Sequence, residues 1–285
     1  MTAPAAGRVA IVTGAGAGLG RAEALALAGD GVSVVLNDVS EQAATVVDEI
    51  EAAGGKALLV TGDVSERATA DALMAAALEH FGGLHIVVNN AGVLRDRMLF
   101  SMSDEDWDTV IRVHLRGHFL LSRNATAHWR RQSKVEGGPV YGRVVNTASE
   151  AFLFGSAGQP NYAAAKAGIA ALTVATARGC ARYGVRANAI CPRARTAMTK
   201  EVFGEAPEGA VDPLSVDHVA PFVAYLASPE ADAVNGQVFV VHGGRIALVR
   251  PPSVERIWSL AELPEVTGFF AQRESGQMFA SQELL

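Results

Sequence analysis

Seven short runs rich in valine and isoleucine, separated by alanine- and leucine-rich stretches, constrain this chain more than any other feature. They are RVAIVT (8–13), VSVVLND (32–38), KALLV (56–60), HIVVNN (85–90), GRVVNTA (142–148), VRANAI (185–190) and GQVFVV (236–241). Parallel strands need long crossovers between them, and strands covered by helices on both faces read as continuous apolar runs. Right-handed crossovers then predict an α/β fold with a doubly wound, seven-stranded parallel sheet. Between the runs, SEQAATVVDEIEAAGG starts at Ser40 as a helix cap and stops at paired glycines.

The first 244 of the 285 residues suffice for that sheet, so the domain is drawn as 1–244 and residues 245–285 as a C-terminal extension. The extension has prolines, no clear strand periodicity and large apolar residues at Ile257, Trp258, Phe269, Phe270 and Phe279. It is expected to form short helices docked on the domain or on a neighbouring subunit. A net charge of −6 disfavours nucleic acid or an anionic membrane as partner and leaves a small-molecule substrate as the expectation. Cys180 and Cys191 form no disulfide framework or metal-ligand spacing, and both read as small buried hydrophobes. The N-terminal residues lack a secretory pattern, no 18-residue apolar stretch follows, and SQELL is not a peroxisomal address, which predicts a cytoplasmic protein.

VAIVTGAGAGLGRAEALALA passes from strand through a glycine-rich turn into helix. Gly14 permits the turn, Gly18 the close approach of a pyrophosphate, and Gly20 tight helix packing, while the helix N-terminus attracts the anion. Asp38 ends the second strand 18 residues after Gly20, near the offset at which an acid binds the adenosine ribose. Its carboxylate would repel a 2′-phosphate, and neither Ala15 nor Val39 offers an arginine, so NAD is expected over NADP. Asp63, followed by Val64, reads either as an adenine contact or as a cap for the next helix.

Ser149 falls at a strand end, Tyr162 lies 13 residues later, and Lys166 shares the helix face of Tyr162 at i+4. An ammonium beside a phenol favours the phenolate, so Lys166 is expected to lower the Tyr162 pKa towards that of a usable base. Ser149 could donate to a substrate oxygen on which charge develops.

TGAGAGLG, NNAG at 89–92, and Ser149 with Tyr162 and Lys166 together resemble the short-chain dehydrogenase/reductase family over roughly residues 7–244. The resemblance implies a Rossmann fold, hydride transfer, Tyr162 as general acid/base, and Lys166 as a ribose contact. It also implies a cofactor pocket that includes Leu19, Asn90, Ala91, Gly92, Pro192 and Thr196, the last at the nicotinamide carboxamide. Members are usually dimers or tetramers joined through long helices, here residues 106–132 and 160–182.

One departure from the family pattern stands out. Where the family has an asparagine in V-N-L-x-G, this chain has VHLRG, which puts His114 at a proton-relay position. His118 follows at i+4, but no glutamate lies between them, so the pair lacks the base of a zinc protease helix and no metal is expected. His114 reads as a relay or as a packed histidine. The substitution, with LNDVS and CPRARTAMT, is similar to the dehydrogenase unit of peroxisomal multifunctional enzyme type 2, the 17β-hydroxysteroid dehydrogenase type 4 group. RDRMLFSMSDEDWD, VHLRGHFLLSRNA and NYAAAKAGIAALT further resemble actinobacterial relatives in sterol side-chain β-oxidation. That resemblance implies oxidation of a (3R)-hydroxyacyl-CoA. A free 17β-hydroxysteroid, a 3-oxoacyl carrier-protein thioester, and a non-catalytic dinucleotide-binding sensor are the alternatives. Arg193 and Arg195 could meet coenzyme A phosphates or be solvated.

Overall fold

The structure, a computed structural model, describes residues 7–199, 203–207, 209 and 211–272. All seven expected strands form: β1 (Val9–Thr13), β2 (Ser33–Asp38), β3 (Ala57–Thr61), β4 (Ile86–Asn89), β5 (Gly142–Thr147), β6 (Val185–Pro192) and β7 (Val238–His242). They pair in parallel in the order β3-β2-β1-β4-β5-β6-β7. Chain order reverses beside β1, between β2 and β4. This opens a crevice at the carboxyl ends of the strands, where doubly wound sheets bind ligands.

An eighth strand corrects the sequence reading. β8 (Arg245–Leu248) pairs antiparallel with β7, with His242 opposite Arg245. Gly243 and Gly244 both take positive φ, as a two-residue hairpin turn demands. A boundary at 244 therefore cuts a hairpin, and the glycine pair was its signal.

The helices are α1 (Gly18–Gly29), α2 (Ala44–Ala52), α3 (Arg67–Ala75), α4 (Asp104–Ile111), α5 (Gly117–Glu136), α6 (Ala151–Phe154) and α7 (Pro160–Cys180), followed by Ala220–Leu226 and Leu263–Gln272. Ser40 caps as expected, accepting from the Gln42 N–H ahead of α2. Successive β1 residues feed opposite faces of the sheet: Ala10 and Val12 join the core that includes Leu27 and Ile50, and Val9 and Ile11 join that of Leu121 and Trp129. Trp129 is fully buried and donates from Nε1 to the Leu84 carbonyl at 2.7 Å.

Cys191 is buried, but Cys180 is only half-buried, so the expectation that both are interior is corrected for Cys180. In the extension, Trp258 packs against Phe269 and Phe270, while Ile257 is exposed. Phe279, the SQELL terminus and residues 1–6 lie outside the described residues. No helix among the described residues is long and apolar enough to cross a membrane.

Candidate active site

The glycine-rich turn leaves β1 and enters α1. Gly14 and Gly18 take positive φ, and a methyl group on Gly20 would overlap the Gly14 carbonyl. Asn90 holds this turn from the end of β4: its Nδ2 donates to the carbonyls of Thr13 and Gly14 at 3.1 and 3.3 Å. The N–H groups of Asn90 and Ala91 both donate to the Thr13 hydroxyl. Deeper in the sheet, Asn89 donates to Ser122 and to Asn146, and Asn146 donates to Thr173, a buried polar chain that ties β4 and β5 to α5 and α7.

Asp38 closes the other side of the turn. Its Oδ2 accepts from the Gly16 N–H at 2.9 Å and its Oδ1 from the Ser40 N–H at 3.1 Å. Asp63 accepts from the Ser65 N–H at 2.8 Å, a turn-forming bond, and also borders an apolar recess with Val64, Asp38 and Val113. The reading of Asp63 as a cap for the next helix is corrected, because Glu66 is the N-cap of α3 and no side chain caps it; the adenine-contact reading is compatible with where Asp63 stands.

A single cleft brings together Gly14, Gly18, Leu19, Asp38, Asn90, Ala91, Gly92, His114, Tyr162, Lys166, Pro192 and Thr196. Ser149 stands just past β5, where its hydroxyl accepts from the Ala151 N–H at 3.2 Å and lies close enough to Tyr162 to lower the pKa of its phenol. Lys166 is fully buried, donates to the Thr147 carbonyl at 2.5 Å, and lies 5.3 Å from the centre of the Tyr162 ring. Burial lowers the Lys166 pKa to about 7. Burial also pushes the Tyr162 phenol up to about 12, against the smaller lowering by Ser149. The expectation that Lys166 lowers the Tyr162 pKa is thus corrected, because desolvation of the phenol dominates.

His114 occupies a π-helical turn, Arg112–Arg116, inserted between α4 and α5. Its Nε2 lies 3.0 Å from the Val93 N–H and 2.8 Å from the Val93 carbonyl oxygen, so the tautomer decides which bond forms. Its ring meets that of Tyr162 edge to face at 5.2 Å. Burial, helped by the nearby Lys166 charge, lowers its pKa to about 3, which keeps the imidazole neutral. His118 is buried in α5, its pKa also lowered by desolvation. Among the described residues no group of three or more His, Cys, Asp or Glu could hold a metal ion.

Thr196 lies in the loop after β6, its N–H donating to the Thr199 hydroxyl at 2.9 Å, while Thr199 donates to the Ala194 carbonyl. Arg193 and Arg195 do not face solvent as free cations. Arg193 grips the Glu150 carboxylate with bonds of 2.6 and 2.8 Å, and Arg195 pairs with Asp212 at 3.0 Å. Both shape the loop from within, which corrects their reading as phosphate contacts or solvated side chains.

The short chain dehydrogenase family model matches residues 8–206. Hydroxyacyl-CoA dehydrogenase ChsB1 of Mycobacterium tuberculosis is 58% identical over 302 residues, covering 100% of this chain and 95% of the relative. Peroxisomal multifunctional enzyme type 2 of Mus musculus is 41% identical over 86% of this chain and 33% of that longer protein. A crystal structure of a short chain dehydrogenase from Mycobacterium avium superposes with a TM-score of 0.84 at 45% identity, covering 95% of this chain and 97% of that one. The chain belongs to the short-chain dehydrogenase family.

Several residues around the cleft of this short-chain dehydrogenase stand outside the motifs legible in its sequence. Thr147, Met198 and Thr199 line it, and Asn161 braces it. Asn161 is fully buried, and its Oδ1 accepts from the Tyr162 N–H at 2.8 Å. Its place immediately before Tyr162 was the available signal. Gly92 also has a reason to be glycine beyond the family motif: a methyl group there would overlap the His114 ring.

The family binds a nicotinamide dinucleotide, and the cleft fits one. Gly14 and Gly18 line the cleft with positive φ and without side chains, and α1 starts at Gly18, so its N-terminus faces the cleft.

Proposed function

We propose that the protein is an NAD-dependent dehydrogenase that interconverts a (3R)-hydroxyacyl-CoA and the 3-oxoacyl-CoA, with acyl groups extending to sterol side chains. The observation that carries the chemistry is Tyr162 and buried Lys166 in the same cleft as the glycine turn, with Ser149 near the Tyr162 phenol from the end of β5. The name of the Mycobacterium tuberculosis relative, a hydroxyacyl-CoA dehydrogenase, supports the acyl-CoA substrate.

In this reading Gly14, Gly18, Leu19, Gly20, Asp38, Asp63, Val64, Asn90, Ala91, Gly92, Pro192 and Thr196 hold the dinucleotide. When bound, that group supplies the hydride acceptor or donor. Tyr162 takes the proton from the substrate hydroxyl on oxidation and returns it on reduction. Ser149 donates to the substrate oxygen as its charge changes. Lys166 supplies a positive field and a ribose contact, and a proton lost from it can be replaced through the neutral ring of His114, which both accepts and donates. The Asp38 carboxylate between Gly16 and Ser40 supports NAD over NADP, because a 2′-phosphate there meets like charge. Two free cysteines support a reducing cytoplasm. Long α5 and α7 support assembly as a homodimer or homotetramer.

Steady-state oxidation of a (3R)-hydroxyacyl-CoA with each dinucleotide, beside a free 17β-hydroxysteroid, tests the assignment. Turnover of the CoA ester with NAD is expected. Turnover confined to the steroid overturns the substrate reading, and preference for NADP overturns the role of Asp38.

A further inference from the structure

A chain of net charge −6 repels a polyanionic CoA ester at long range, so docking such a ligand calls for local cations at the mouth of the cleft. Arg193 and Arg195 cannot serve, since Glu150 and Asp212 already neutralise them. Two other guanidiniums stand on the segment that follows β4. Arg95 and Arg97 are exposed, and each donates from Nη1 to a carbonyl of its own loop, at Leu94 (2.7 Å) and Asp96 (3.0 Å). Among the described residues neither pairs with a carboxylate.

This segment is fastened to the catalytic helix. Asn161 donates from Nδ2 to the Arg95 carbonyl at 3.0 Å and to the Asp106 carbonyl at 3.1 Å, while its Oδ1 holds the Tyr162 N–H. Gln159 donates to the Asp96 carboxylate at 2.8 Å, which anchors the acid between the two arginines. The other acids nearby, Asp104, Glu105 and Asp106, lie in the first turn of α4, where the helix dipole offsets their charge. The backbone that carries Arg95 and Arg97 is thus tied to the start of the helix that bears Tyr162, with the charge of both side chains unspent among the described residues.

We propose that Arg95 and Arg97 form the binding site for the phosphate groups of the CoA ester. The assignment rests on the acyl-CoA reading above. Planar guanidinium forks match phosphate oxygens in pairs, and an exposed arginine already bonded to a carbonyl keeps further N–H donors for them.

The test compares one (3R)-hydroxyacyl group carried by CoA and by N-acetylcysteamine, which lacks the phosphates, in the wild type and in the Arg95→Gln/Arg97→Gln variant. For the CoA ester KM is expected to rise about tenfold or more, at little change in kcat, as two charge-assisted contacts are lost. For the phosphate-free ester the rise is at least fivefold smaller, and added salt weakens CoA ester binding in the wild type more than in the variant. Equal losses for both esters, or none for the CoA ester, overturn the proposal. If the wild type oxidises neither ester, the acyl-CoA reading fails first and the site falls with it. Exposed Gln substitutions leave the core intact, which a melting curve checks.

Discussion

Lys166 gives its hydrogen bond to the Thr147 carbonyl, not to the phenol of Tyr162, although its ammonium lies only 5.3 Å from the centre of that ring. The lysine is held by the end of β5 and stripped of water, so its folded pKa of about 7 lies well below the ordinary 10.5. Between those values the unfolded chain binds more protons, so stability rises with pH there, and the cost of burial is complete below pH 7. Lys166→Met removes that cost while retaining an unbranched stem. Turnover should fall by about a hundredfold or more, while the melting temperature at pH 6.5 rises by roughly 5 °C. The rise should shrink as pH approaches 10.5. Paired melts at pH 6.5 and 10 check this, and an unchanged melting temperature at pH 6.5 excludes a burial cost at Lys166.

With its pKa pushed up to about 12, Tyr162 is a phenol at neutral pH and a proton acceptor only in its minority form. Alcohol oxidation, which needs the phenolate, should accelerate with rising pH, while ketone reduction, which needs the phenol, should stay level until far more alkaline conditions. Initial rates in both directions from pH 6 to 10 check the divergence. Tyr162→Phe should lower turnover by about 10²- to 10⁴-fold, while calorimetry still detects dinucleotide binding. Unchanged turnover removes Tyr162 from the chemistry.

Much of this was legible in the chain, for reasons visible in particular residues. Continuous apolar runs such as Val9–Thr13 betray strands buried on both faces, and the glycines of TGAGAGLG mark a turn with no space for a Cβ at Gly14 or Gly20. Tyr162 and Lys166 announce themselves by helical spacing. What stayed hidden depends on contacts distant in sequence. The partners of Arg193 and Arg195 lie 43 and 17 residues away, so nothing local distinguishes a loop staple from a ligand contact. The Tyr162 pKa turns on desolvation, which spacing does not report. β8 was legible in principle, since Gly243–Gly244 between two short apolar runs is a hairpin signal.

Gly92 and His114 form a coupled pair. The imidazole is held at Val93 and edge-on to Tyr162, and fills the space that a Gly92 methyl group would need. Gly92→Ala should destabilise the protein by about 1–3 kcal/mol and reduce turnover by pushing the ring towards Tyr162. His114→Asn, which is smaller, should relieve part of that in the double variant, with a coupling of about 1 kcal/mol. Melting and turnover of both single variants and the double variant close the cycle, and strictly additive effects contradict the contact.

Glu23 is buried in α1 at 0% exposure, and neither carboxylate oxygen has a hydrogen-bond partner among the described residues. Desolvation raises its pKa from 4.5 to about 8. The folded state therefore binds more protons than the unfolded chain between those values. Stability contributed by this site falls as pH climbs from 4.5 to 8, and above 8 the full cost of a buried carboxylate remains. Glu23→Leu removes the ionisable group from an otherwise apolar helix face. It should stabilise the protein at pH 8.5 by up to about 5 kcal/mol and by much less at pH 5. Denaturant titrations at the two pH values measure the difference directly. A variant less stable than the wild type at pH 8.5 would show that Glu23 has a partner in solution, and an equal gain at both values would assign the effect to packing rather than charge.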